Sequence, residues 1–306
     1  MYPKQPAVTQ PAYAYADQRK YRHMAEKTVE DVREFWESNP LFSGESVHET
    51  GSKEFFEDQL ATVVKDVFAG KINDEIFPSS DTNQNVLDLG CGPGLWTVEL
   101  ARRGAQRITA ADLTDKAIEL TRKRASLYGI DVETSVQNAE QMTFEDNTFS
   151  HVNCQGVIHH TPDTEACVRE ISRVLQPQGT ALVTVYYKNI FLRYWPLLKY
   201  LGKGLSKLGA GMKGRGREGI YAADGVDDVV RLYDGEDNPI GKAYSAREFE
   251  EMLAPHLTVG QTFLHFFPAR TLPFPIPRFL HSLLNRRAGF MIGARCRKPP
   301  VNDDSL

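Results

Sequence analysis

The chain has 306 residues, 41% of them hydrophobic and 25% charged, which is enough to bury a sizeable core as one domain with additions. A net charge of -4 and a pI near 6.1 give no general attraction for a phosphate backbone, so no nucleic-acid partner is expected. Cys91, Cys154, Cys167 and Cys296 form neither a disulfide framework nor a CxxC ligand pair, and no apolar run approaches the roughly 20 residues that span a bilayer. A soluble, cytoplasmic protein with no membrane partner and no metal site is the expectation.

Residues 1–17, rich in Pro, Ala, Gln and Tyr, lack the charged start and apolar run of a signal peptide and read as a tail. Over residues 18–37, Tyr21, Met24, Thr28, Val32, Phe35 and Trp36 recur at steps of three and four, the spacing of one helical stripe that Asn39-Pro40 ends. A second helix is predicted over 52–69, with Phe55, Phe56, Leu60, Val63, Val64, Val67 and Phe68 inward. Both precede the first strand, so this appendage must bury its apolar stripes on the core, on a substrate or on another subunit.

Strand and helix signals then alternate. Strands are predicted at 85–89, 107–111, 132–137, 151–157 and 180–187, and helices at 95–103, 114–128 and 164–175. Alternation of this kind implies a parallel sheet with helices on both faces. The segment 190–238 breaks the pattern. It begins aromatic, with Phe191, Tyr194, Trp195 and Tyr200, and becomes glycine-rich and basic over 202–217, which predicts a lid. Its cations Lys199, Lys203, Lys207, Lys213, Arg215 and Arg217 read most simply as a solvated loop, with a phosphorylated substrate or acidic partner as the alternative. Ser245, with Glu248 three residues on, marks a capping box at the start of a helix to Leu253, and 258–263 and 290–297 supply two closing strands.

The chemistry is concentrated in Val86-Leu-Asp-Leu-Gly-Cys-Gly-Pro-Gly94. A buried strand runs into Gly90, Gly92 and Gly94, where the missing Cβ lets the backbone turn sharply and approach a flat, adenosine-like ligand. Asp112 closes the next strand at the distance at which a carboxylate accepts hydrogen bonds from ribose hydroxyls. A dinucleotide enzyme is the competing reading, but the order is GxGxG with Pro93 between the last two, whereas the dinucleotide fingerprint is GxGxxG.

This stretch, with Asp112, resembles the class I S-adenosylmethionine-dependent methyltransferases, and the resemblance covers residues 85–187. It implies an α/β, Rossmann-like, seven-stranded, mostly parallel sheet whose last strand is antiparallel, with S-adenosyl-L-methionine as cofactor. The boundaries it suggests are 1–50 for the tail and helical appendage, 51–189 for the cofactor-binding core, 190–240 for the lid and 241–306 for the rest of the sheet. It places Asp88 and Gly90, Cys91 and Gly92 near the methionine moiety, Asp112 and Leu113 at the ribose, and Asn138 and Ala139 at the adenine. For Asp88 the plainer role is a carboxylate tying loop groups together, and for Cys91 a small residue whose backbone matters.

Ligands of open α/β sheets sit beyond the carboxyl ends of the strands, so the reaction site falls at Cys154-Gln-Gly-Val-Ile-His-His-Thr-Pro162. Gln155 is assigned to the cofactor, Val157 and His160 to the acceptor. The Asn/Asp-Pro-Pro-aromatic pattern of nucleobase amino methylases is absent. His159 or His160 has the residue type of a general base, or else closes the loop. Tyr21, Tyr187, Phe191, Tyr194 and Tyr200 are candidates for a dry aromatic box around the acceptor, with Tyr21 favoured as a catalytic residue; ordinary core is the alternative for each.

Finally, Phe35-Trp-Glu-Ser-Asn-Pro-Leu41, Gly51-Ser-Lys-Glu-Phe-Phe56 and Gly241-Lys-Ala-Tyr-Ser245 look like bacterial small-molecule methyltransferases, in particular the C-methylation branch of teleocidin-type indole alkaloid biosynthesis. That resemblance implies a hydrophobic acceptor, the alkene of a terpenyl chain, with a carbocation that cyclises and tyrosine faces that stabilise it. An O- or N-methyltransferase of another metabolite and a non-catalytic cofactor-binding protein are the alternatives. The helix bearing Tyr21 is expected to close the site and to be exchanged between subunits of a homo-oligomer.

Overall fold

The computed structural model describes residues 27–206, 217–272 and 274–300. Two helices come first, α1 (Val29–Ser38) and α2 (Lys53–Thr62). Thr28 and Asp31 form a reciprocal capping box at the start of α1, and Ser52 caps α2 by accepting from the Phe55 amide. The helix expected to run to Ala69 instead passes into a π-helical turn over Val63–Val67. The wider turn lets adjacent side chains serve two apolar clusters: Phe68 packs with Ile72, Ile76 and Leu182, and Val67 with Tyr186 and Phe290.

The core continues with β1 (Asn85–Leu89), α3 (Leu95–Arg102), β2 (Arg107–Asp112), α4 (Asp115–Leu127), β3 (Glu133–Val136), β4 (Phe149–Gln155), α5 (Thr164–Val174) and β5 (Leu175–Tyr187). After β5 come α6 (Ile190–Arg193), α7 (Trp195–Ser206), α8 (Val226–Asp234), β6 (Ala243–Tyr244), α9 (Ala246–Leu253), β7 (Thr258–His265), α10 (Arg278–Ala288) and β8 (Met291–Arg297). The sheet runs β3-β2-β1-β4-β5-β8-β7. Its strands are parallel except β8, which is antiparallel to both β5 and β7. The expected seven strands become eight because the two-residue β6 pairs parallel with the end of β5.

One face of the sheet packs Val152, Cys154, Val183 and Val185 against Val168 and Ile171 of α5 and Phe249 and Leu253 of α9. Helix α9 starts at the expected capping box, with Ser245 and Glu248 bonded reciprocally. At the N-terminal side, Phe42, Phe55 and Phe56 bury themselves against Leu120 of α4. The segment read as a lid is helical in its described parts, and Val229, Val230 and Tyr233 of α8 pack into the core with Tyr186 and Phe290. Of its cations, Lys199 pairs with Asp224 and the buried Arg217 with the half-buried Glu45, while Lys207, Lys213 and Arg215 lie outside the described residues. Among the described residues no helix is long and apolar enough to cross a membrane, and no group of His, Cys, Asp and Glu could hold a metal ion.

Candidate active site

β1 and β2 end side by side, and the glycine loop leaves β1 there. Gly90, Gly92 and Gly94 have φ of 71°, 51° and 75°, the left-handed region that side chains avoid. The amides of Gly90 and Cys91 both donate to the Ala111 carbonyl, at 2.7 and 3.0 Å, which locks the loop onto β2. A Cβ on Gly90 would lie 2.2 Å from Val157 Cγ2, so glycine there is a packing requirement as well as a conformational one.

Helix α4 holds the loop from outside. Thr121 donates to the Gly92 carbonyl at 2.8 Å. Arg124, buried, donates to Pro93 O at 3.3 Å, Gln59 Oε1 at 2.6 Å and Phe56 O at 3.0 Å. Burial pushes the Arg124 guanidinium down to about 10, still charged at neutral pH. Sequence reading passed over Arg124, which looks like any surface cation on a helix.

Asp112 faces the cleft. Its Oδ1 accepts from the Thr114 amide and hydroxyl at 3.0 and 2.9 Å, and its Oδ2 from the Gly92 amide at 3.0 Å. Burial raises the pKa of Asp112 in spite of these donors. A carboxylate offers about four lone-pair positions, so Oδ2 keeps one for a ligand hydroxyl. Asp88 lies beneath the loop, fully buried, and accepts from Thr97 at 2.6 Å and from Asn153 at 2.7 Å. Burial, against those two bonds, pushes its carboxyl up to about 6. Gln155 donates to Asn153 at 2.8 Å, so a polar ladder runs from the cleft wall through Asn153 to Asp88 and Thr97. Cys91 is buried, with its thiol against the Thr121 hydroxyl and well above its ordinary pKa through burial.

The cleft is lined by Gly90, Gly92, Asp112, Leu113, Asn138, Ala139, Gln155, Val157 and His160, together with Val29, Val32 and Trp36 of α1 and with Pro40 and Leu41. Helix α1 therefore forms one wall. In α1 the buried anchor is Phe35, while the half-buried Trp36 turns to the cleft and meets the His160 ring edge-on at 5.3 Å.

His160 is held at both nitrogens. Nδ1 lies 2.7 Å from the Ile240 carbonyl, which can only accept, and Nε2 lies 3.3 Å from Asp234 Oδ2. That same carboxylate oxygen accepts from the Tyr186 hydroxyl at 2.7 Å. Both ring nitrogens thus face protein oxygens. His159 is buried behind it, its ring 4.1 Å from His160 and 4.4 Å from Tyr186, with no hydrogen-bond partner. Burial, then the neighbouring His160 and Lys242, holds the His159 ring well below the usual histidine range, so it is neutral. Lys242 fixes the loop by donating to the Thr161 and Pro162 carbonyls at 2.8 Å each and to the Thr164 hydroxyl at 3.0 Å.

The aromatic candidates are set elsewhere. Tyr21 lies outside the described residues. Tyr187 packs on the α5–α9 face, and Phe191 borders a separate apolar cavity with Trp195, Tyr221 and Phe267. Tyr194 and Tyr200 project from the insertion with 56% and 69% of their surface exposed. None of these four lines the cleft.

Comparison with known proteins bears on this geometry. Residues 86–179 match the family described as a methyltransferase domain. Over that stretch the chain is similar to methyltransferase domains. The cofactor that accompanies the domain is S-adenosylmethionine. The loop glycines, the open acceptor position on Asp112 and the cleft beside Asn138 and Ala139 fit that group. A ubiquinone biosynthesis O-methyltransferase of Neisseria meningitidis is 30% identical over 129 residues, 40% of this chain and 54% of that protein. The chain thus spans about half the length of the curated relative it matches. Among solved structures, the [4+2]-cyclase SpnF superposes with a TM-score of 0.55 at 16% identity, covering 90% of this chain and 98% of that one. A SAM-dependent methyltransferase from Methanosarcina mazei gives a TM-score of 0.52 at 19% identity, covering 75% and 99%. At those identities the likeness is one of fold.

Proposed function

We propose that the protein transfers a methyl group from S-adenosylmethionine to carbon on a hydrophobic small molecule, the alkene of a terpenyl chain carried by an indole alkaloid. The observation that carries this reading is the cleft wall opposite the glycine loop. Val29, Val32, Trp36, Pro40 and Leu41 are apolar, and the histidine beside them has both nitrogens engaged. An alkene carbon accepts a methyl group without losing a proton first; the carbocation formed loses its proton to water afterwards, so the transfer itself needs no base. Oxygen and most nitrogen acceptors are helped by one.

The bound cofactor supplies an electrophilic methyl. In this proposal Asp112, Leu113, Asn138, Ala139, Gln155 and the loop glycines hold it, and α1 excludes water and orients the acceptor, which is where much of the rate enhancement arises. Cationic charge that develops on the acceptor meets the Trp36 face and the carboxylate of Asp234 behind His160. Cyclisation of that carbocation and exchange of the N-terminal helix between subunits of a homo-oligomer belong to the same proposal, as do a cytoplasmic location and the absence of a nucleic-acid partner. O-methylation of a phenolic metabolite is the second reading, favoured by the Neisseria relative's name.

A panel of prenylated indoles and phenols incubated with methyl-labelled cofactor decides between them by product mass spectrometry. The proposal expects label on carbon of a prenylated indole, and turnover that does not rise with the ionisation of a phenol. Label on oxygen only, with turnover rising as the phenol ionises, would overturn it.

A further inference from the structure

A further cavity of about 560 Å³ opens at the end of the sheet opposite the cofactor cleft, under the chain segment that enters β1. Sheet register explains its composition. His151 of β4 pairs with Thr180 of β5, Thr180 with Arg297 of β8, and Arg297 with Thr258 of β7; one step along β5, Leu182 pairs with Arg295. Side chains two residues apart on a strand share a face, so His151, Thr180, Leu182, Arg295 and Arg297 look out on the same side. Ile76, Phe77 and Pro78 cover that side incompletely and leave the cavity between.

Two cationic or donor groups there lack acceptors. His151 is only 3% exposed; its Nδ1 sits 2.8 Å from Thr180 Oγ1, but its Nε2 is buried without any partner. Leaving a buried polar nitrogen unpaired is costly, and such groups in folded proteins ask for an explanation. The Arg295 side chain, partly buried, makes no hydrogen bond or ion pair with the described residues, yet lies near enough for its charge to act on His151. Burial, with that charge, pushes the His151 ring down to about 3, so it is neutral at physiological pH. A Thr180 hydroxyl that donates to Nδ1 leaves the single ring hydrogen on Nε2. The nearby acid, Asp74, is mostly exposed and already engaged by Lys71 and Arg103 at 3.5 and 3.7 Å, while Arg297 is turned outward to the Gln178 carbonyl.

We infer that this cavity is a second ligand site, for a small organic oxyanion with an apolar body. Its carboxylate or phosphate oxygen sits between the Arg295 guanidinium and the Nε2–H of His151, and its body lies against Phe77, Pro78 and Leu182. The site shares no residue with the cofactor cleft, and no covalent step is involved.

Benzoate and inorganic phosphate serve as probes, added separately to the full chain and to Arg295→Gln. Arg295 is partly exposed, so the variant is expected to fold. For the wild type, at least one probe raises the unfolding temperature saturably and shifts the His151 Nε2 resonance in nitrogen-detected imidazole spectra, and Arg295→Gln weakens that probe's affinity at least tenfold. Saturation by benzoate alone assigns a carboxylate ligand, and saturation by phosphate alone a phosphate ester. Cofactor affinity is the same in both proteins. No saturable response to either probe, an equal response in Arg295→Gln, or a His151 ring carrying its hydrogen on Nδ1 would overturn the inference.

Discussion

Replacing Arg124 with alanine is expected to destabilise the protein by about 3–5 kcal/mol, because three buried acceptors lose their donor and a large side-chain volume empties. Those acceptors belong to two separate segments: Gln59 and Phe56 on α2, and Pro93 in the glycine loop. The guanidinium is thus the joint between the N-terminal helices and the cofactor loop, and it lies over the Phe56 ring at 5.0 Å. Arg124→Met separates packing from hydrogen bonding, since methionine fills much of the space and donates nothing. It is expected to lose most of the same stability, with a weaker cofactor affinity because Pro93 is no longer held. Chemical denaturation of both variants checks this. Wild-type stability in Arg124→Met would mean that the bonds contribute little and that volume alone matters.

The second large effect is expected at Trp36. Its ring forms part of the cleft wall and touches His160, but it is only half-buried, so its loss removes acceptor positioning more than core. Trp36→Ala should lower kcat/KM at least tenfold, which corresponds to about 1.4 kcal/mol of transition-state stabilisation. Cofactor affinity should change by less than about threefold, since no loop glycine and no Asp112 contact depends on the ring. Phe35→Ala supplies the contrast. Phe35 is buried, so its truncation costs stability, about 3 kcal/mol or more if little relaxation follows. If Trp36→Ala instead lowered the unfolding temperature as far as Phe35→Ala with normal turnover per folded molecule, α1 would be only a cover for the core.

The contrast between these two neighbours shows where sequence reading stops. The spacing of Val32, Phe35 and Trp36 marks an amphipathic helix, and the structure has one. Periodicity treats Phe35 and Trp36 as one stripe, however, and cannot tell the residue that enters the core from the one that faces a ligand. The glycine loop and Asp112 were legible for the opposite reason: left-handed φ angles at Gly90, Gly92 and Gly94 impose a local constraint that a handful of adjacent residues must meet. The strand alternation gave the sheet for the same kind of reason, and missed only the two-residue β6, which is too short to have a period.

What sets the state of His160 was invisible in the sequence. Its carbonyl partner Ile240 is 80 residues away in the chain, and the carboxylate of Asp234 arrives on a helix inside the segment read as a lid. Arg124 meets Gln59 across 65 residues. Pairings at that separation are made by tertiary packing and leave no local pattern. The aromatic box shows the same limit. Tyr187 ends β5 and Phe191, Tyr194 and Tyr200 follow closely on it, yet none of the four lines the cleft.

The most direct test of the account is calorimetric binding of S-adenosylmethionine to the wild-type protein and to Asp112→Asn. The substitution keeps the shape of the side chain. It removes the charge, however, and turns one end of the group that holds Gly92 and Thr114 from acceptor into donor. One cofactor per chain is expected to bind the wild type, and Asp112→Asn to bind it about 10- to 100-fold more weakly, the loss of one charge-assisted hydrogen bond of about 1.5–3 kcal/mol. Because burial raises the Asp112 pKa, wild-type affinity should also fall toward that of the variant as acid protonates the carboxylate. Equal affinities for the two proteins at neutral pH would contradict the assignment of this cleft to the cofactor.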